Sequence, residues 1–89
     1  MRQYRVDERL GKKINKLKNK NRLAHEIVLK KIREICTSYD IEHYKNLRYE
    51  LKDAKRVHIG HFVLIFSYDK EKDCIVFLDY DHHDRIYET

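Results

Sequence analysis

Apolar residues recur along this chain in two rhythms, and the change from one to the other divides it. In "DERLGKKINKLKNK", Leu10, Ile14 and Leu17 stand four and three apart, the spacing that places side chains on one narrow helical face. Asn19 and Asn21 interrupt the pattern, after which Ala24, Ile27, Val28, Ile32 and Ile35 resume it. Two amphipathic helices joined by a short polar turn predict a helical hairpin. Gly11 costs the first helix about 1 kcal/mol relative to alanine, so its ends are the less sharply defined. Ahead of it, Tyr4 to Val6 reads as a short strand.

From Thr37 to Lys55 the period is lost. Tyr39, Ile41, Tyr44, Leu47, Tyr49 and Leu51 are spread among charges, which reads as a connection holding a turn of helix. The rhythm then changes to two. Val57 and Ile59 alternate with Arg56 and His58, so a strand here sends the apolar pair to one face and a cation with an imidazole to the other. Gly60 ends or bulges that strand. "HFVLIFSY" and "CIVFLDY" follow as two more strands around the loop "DKEKD", and their nearly unbroken apolar character implies burial on both faces. The predicted class is α+β, an N-terminal helical hairpin packed on a small antiparallel sheet.

Length confines this to one domain over residues 1–89, since a chain of 89 residues has only a modest core. Lys and Arg number 20 against 15 Asp and Glu, a net of +5 that suits a polyanion or an acidic protein partner. The distribution says more than the sum. Residues 1–56 carry 17 basic and 8 acidic side chains, a net of +9, whereas residues 57–89 carry 3 and 7, a net of −4. The stripe Lys12, Lys13, Lys16, Lys18 and Lys20 on the first helix is a solvated face, or a phosphate-binding one if the partner is a nucleic acid. Cys36 and Cys74 are the only cysteines and have no close pairing, so two thiols are expected and not a disulfide framework. No run approaches the roughly 18 apolar residues of a membrane span, and the N-terminus lacks a secretory signal's apolar core. A cytoplasmic protein without a membrane partner is the expectation.

Four of the six histidines, His58, His61, His82 and His83, flank the two apolar strands. Together with the order of elements, the stretches "KRVHIGHFVLIF" and "DHHDRIY" resemble the RelE/ParE superfamily of toxins from type II toxin-antitoxin pairs, closest to its RelE/YafQ-like branch. The resemblance covers essentially the whole chain. It implies a ribonuclease that cuts messenger RNA, commonly on the translating ribosome, and that a cognate antitoxin neutralises. That partner is expected to be acidic and partly helical, to suit the basic first half. By the same resemblance His58 matches the branch's strand-end histidine, Phe62 its aromatic, His83 or His82 its C-terminal histidine, and Tyr87 its terminal aromatic. His61 stands where the branch has an acid, Val63 where many relatives have an arginine, and His43 is a poorly spaced match for an upstream histidine.

Metal-independent RNA cleavage requires a base for the ribose 2′-hydroxyl, an acid for the departing 5′-oxygen, and cations for the charged transition state. Histidine suits the first two near neutral pH, and Lys or Arg suits the third. The expected catalytic set is His58, His83, His82, Arg56 and Tyr87. The expected substrate-binding set is Lys52, Lys55, His61, Phe62 and Arg85. No metal and no cofactor are expected. Three other readings use the same residues. His58, His61, Cys74 and His82 or His83 form a possible zinc-ligand set. A ParE-like toxin would act on DNA gyrase and have no need of a histidine pair. A degenerate homologue would only bind RNA or antitoxin. His25, beside the apolar stripe of the second helix, reads as a surface residue.

Overall fold

The computed structural model describes residues 1–46 and 54–86. The elements run β1 (Gln3–Val6), α1 (Glu8–Lys20), α2 (Arg22–Thr37), a 3-10 turn (Ile41–His43), β2 (Ala54–Ile59), β3 (Phe62–Asp69), β4 (Cys74–His82) and α3 (His83–Ile86). Asp7 starts α1, its side chain accepting from the Arg9 amide, while Glu8 in the first turn and Lys18 and Lys20 in the last complement the helix dipole. A single residue then makes the hairpin. The Asn21 amide donates to the Leu17 carbonyl and closes α1, and the Asn21 side chain accepts from the Ala24 amide at 3.1 Å and opens α2. Of the second stripe, Val28, Ile32 and Ile35 are fully or almost fully buried, and Cys36 joins them. Ile27 does not: it is 43% exposed, because the three-and-four spacing admits more residues than one contact face can cover.

The four strands form one sheet in the order β1-β4-β3-β2. As expected, β2, β3 and β4 are antiparallel neighbours; β1 adds a parallel strand on the outer side of β4, pairing Gln3 with Cys74 through Val6 with Phe77, so the sheet is mixed. Gly60 ends β2. It takes φ +61 in the two-residue turn Gly60-His61, between the paired Ile59 and Phe62, a tight hairpin whose first position favours glycine. β3 and β4 pack apolar side chains on both faces, as their composition requires. Leu64, Phe66, Ile75 and Phe77 pack against Leu10, Ile14, Val28, Ile32, Ile35 and Ile41 on the helical side. Ala54, Val63 and Ile65 form a second, smaller cluster on the opposite side, with Leu78 and Ile86 against it. The chain after β4 thus folds back over the second face, and this sets what can stand beside β2.

Both cysteines are thiols, Cys36 buried and Cys74 half-buried. At the far end of the sheet, Asp73 accepts from Arg2 at 2.9 Å and from the Tyr68 hydroxyl at 2.6 Å, tying the N-terminus to the β3–β4 loop. Among the described residues no helix is long and apolar enough to cross a membrane.

Candidate active site

Strand alternation puts Ala54, Arg56 and His58 on the second face, opposite Ser67, Ile65 and Val63 of β3. An Arg56 Nη1 atom lies 3.1 Å from His58 Nε2. A guanidinium can only donate, so this nitrogen of His58 accepts and the imidazole is neutral, with its proton on Nδ1. The electrostatics agree. Partial burial lowers the His58 pKa from its ordinary value of 6.5, and the charges of Arg56 and His83 lower it further.

The chain returns to this face at the end of β4. His83 opens α3, and its amide donates to the His61 carbonyl at 2.8 Å, which fastens the start of α3 to the β2–β3 turn. That bond brings the His83 ring beside His58, with centroids 5.6 Å apart and planes at 31°. The neighbouring His82 turns the other way. Its ring lies 6.2 Å from that of His61 and 5.5 Å from that of Phe62, which in turn stacks on Tyr80 at 4.9 Å. Asp84 stands beside both histidines, with carboxylate oxygens 3.7 Å from His82 Nδ1 and 3.6 Å from His83 Nδ1, while its amide donates to His82 Nδ1 at 3.2 Å. Two adjacent residues in sequence thus serve two different neighbourhoods.

The structure therefore brings Arg56, His58 and His83 together, and places His61, Phe62 and His82 around the end of the sheet from them. Arg85 lies on α3, where its charge acts on Asp81. Lys52 and Tyr87 lie outside the described residues. Lys55 does not belong with this group. It is on the helical face, its side chain 9% exposed, and its ammonium donates to the Tyr44 carbonyl at 3.3 Å and Asn46 Oδ1 at 3.2 Å, with Glu42 3.7 Å away. The alternation that turns Arg56 and His58 to the second face necessarily turns Lys55 to the helical one. His43 is also elsewhere, its ring 4.0 Å from that of Tyr44, and its Nδ1 contacts the Asp40 carbonyl.

The zinc-ligand set is not assembled. Cys74 begins β4 beside Asp69, whereas His82 ends it beside Phe62, about eight residues and so roughly 25 Å along the strand. Among the described residues no group of three or more His, Cys, Asp or Glu side chains is arranged to hold a metal ion.

Sequence reasoning missed Lys13. In sequence it belongs to the basic stripe of α1, but its ammonium lies 2.6 Å from Asp79 Oδ1 and 3.4 Å from Asp81 Oδ2. The acidic pair at alternate strand positions was the available signal.

No protein-family model matches the chain. A Methanocaldococcus jannaschii protein whose name includes "toxin RelE4" is 44% identical over 80 residues, covering 89% of this chain and 83% of that relative. The isolated E. coli RelE toxin superposes with a TM-score of 0.75 at 24% identity, covering 99% of this chain and 93% of that one. The toxin in the archaeal RelE-RelB complex from Pyrococcus horikoshii superposes with a TM-score of 0.68 at 17% identity, covering 94% and 97%. At those identities the two structures speak for the fold; the archaeal sequence match speaks for descent.

Proposed function

The chain belongs to the RelE toxin family, and from that premise we propose that it is a toxin that cleaves messenger RNA by attack of the ribose 2′-hydroxyl on the adjacent phosphate. The observation that carries this reading is the pairing of a neutral His58 with His83 across 5.6 Å, with the Arg56 guanidinium alongside. In the free protein Arg56 occupies the His58 Nε2 lone pair. An incoming phosphate competes for the guanidinium, and the released Nε2 takes the 2′-hydroxyl proton. Arg56 then stabilises the negative charge on the phosphorane oxygens. His83, on the exposed start of α3, gives a proton to the departing 5′-oxygen. The products are a 2′,3′-cyclic phosphate and a 5′-hydroxyl.

Incubating purified protein with RNA, alone and on programmed ribosomes, and identifying the product ends tests the reaction; 3′-hydroxyl ends would rule it out. The pH profile tests the assignment of the base. Because the His58 pKa is lowered, its neutral form persists as pH falls, so the acid limb of kcat/KM should lie below 6.5. Arg56→Met removes one of the two charges that lower it and should move that limb upward, together with a large loss of rate. A limb at or above 6.5 in the wild type would assign the base elsewhere.

RNA binding is expected to rest on the cations of α1 that have no carboxylate held against them in a half-buried pair. Replacing Lys12, Lys16 and Lys20 together with Gln should reduce the salt slope of binding by about 2, at roughly 0.7 per phosphate contact on a single strand. An unchanged slope would make that face purely solvated.

The antitoxin partner fits a different surface. Between β1 and the helical hairpin lies a cavity of about 410 Å³ with Tyr4, Val6, Ile14, Leu29 and Ile32 in its wall and Arg33 at its side. Tyr4, Val6 and Leu29 are exposed, which suits apolar anchors of an acidic amphipathic segment. Co-expression with the product of a neighbouring small open reading frame should give a stable complex and restore growth; if neither happens, the partner assignment is wrong.

A further inference from the structure

Strand β1 ends its pairing with β4 at Phe77, where the Asp7 amide donates to the Phe77 carbonyl at 2.9 Å and the chain turns into α1. Beyond that point β4 continues from Leu78 to His82 with β3 on one side and, among the described residues, no strand on the other. An open strand edge presents amides and carbonyls that need partners. Here side chains supply them. The Tyr80 amide donates to Asp79 Oδ1 at 2.8 Å and the His82 amide to Asp81 Oδ1 at 2.7 Å. The Tyr80 carbonyl receives the Lys13 ammonium at 3.3 Å, which also lies on both carboxylates.

This cluster adjoins the proposed site. Asp81 immediately precedes His82 and His83, and on its far side the His83 amide donates to the His61 carbonyl. Asp81 also feels Arg85 of α3: burial pushes its carboxyl up, but the His82 amide, Lys13 and Arg85 together hold it below the usual carboxylate range. We propose that Lys13 is a positioning residue for RNA cleavage, holding the last residues of β4 through Asp79, the Tyr80 carbonyl and Asp81 so that α3 presents His83 to His58. The inference rests on the reading of those two histidines as the cleaving pair. It assigns to α1 a role in geometry where its basic composition suggested a role in binding.

The test compares Lys13→Met with Lys13→Arg in the full chain. Lys13→Met should lower kcat on a short RNA by at least about 10-fold, as small displacements of reacting groups do, with KM changed by less than about twofold. Lys13→Arg, which keeps the charge and the reach, should restore most of the rate. Amide hydrogen exchange supplies a readout independent of cleavage: in Lys13→Met the His83 amide should exchange at least about 10-fold faster while the β2–β3 amides keep their protection. Should Lys13→Met fail to fold, Asp81→Asn removes the charge yet keeps an oxygen for the His82 amide, and should show the same changes. A raised KM and reduced salt slope with unchanged kcat would make Lys13 a phosphate contact and overturn the proposal. A lowered melting temperature with unchanged kcat and unchanged His83 exchange would make it a fold-stabilising pair only. If the wild type cleaves no RNA, the proposed function fails by itself, and unchanged His83 exchange would sink the positioning role separately.

Discussion

Replacing His58 with alanine should reduce RNA cleavage by about 10²- to 10⁴-fold, the usual contribution of a positioned proton-transfer group, and leave a folded protein. The side chain is exposed on the second face of an edge strand, outside both apolar clusters, so its loss opens no cavity. His83→Ala should lose a similar factor, since the two imidazoles lie 5.6 Å apart and the proposed reaction uses one as base and the other as acid. His82→Ala should lose far less, because its ring turns toward His61 and Phe62. The double variant His58→Ala/His83→Ala should be little worse than either single one, as groups acting as a unit are strongly non-additive. Single-turnover cleavage of a defined RNA, with circular dichroism to establish folding, measures all four. Near-full activity in folded His58→Ala would transfer the chemistry to Arg56, Arg85, Lys52 and Tyr87.

The largest effect on stability is expected at Phe77. It is fully buried, its ring 5.8 Å from those of both Tyr4 and Phe66, and it occupies the register position where the pairing of β1 with β4 ends. Phe77→Ala should destabilise the protein by about 3–5 kcal/mol, the transfer and cavity terms of a buried aromatic combined. A domain of this length has a total stability on the order of 5–10 kcal/mol, so urea denaturation should show the midpoint halved or lost. Ile27→Ala, on the exposed side of α2, should remain within about 0.5 kcal/mol of wild type. Equal midpoints for the two variants would mean that the core is not where the packing places it.

The helical hairpin and the three antiparallel strands were legible because each has a period that survives in one dimension. Leu10, Ile14, Val28, Ile32 and Ile35 repeat as a helix repeats, and Arg56-Val57-His58-Ile59 alternates as a strand alternates. The same alternation identified the face that His58 shares with Arg56. It also contained the correction for Lys55, one residue from Arg56 and therefore on the opposite face, where proximity in sequence had suggested a common site. The parallel strand β1 was visible as a strand but not in its place, since four residues carry no information about which neighbour they join.

By itself the sequence determined the local elements, the division of charge between the two halves, and which residue types were available for proton transfer, because these depend on neighbours within a few positions. Only the tertiary structure decided that His83 meets His58 while His82 meets His61 and Phe62, for that depends on the His83 amide reaching the His61 carbonyl across a turn some twenty residues earlier. It alone also decided that Lys13 leaves the basic stripe to join Asp79 and Asp81, more than sixty residues away, because β1 stops at Val6 and exposes an edge of β4 that α1 then crosses. Pairings of this kind are set by where strands end and chains fold back, and no spacing between letters records that.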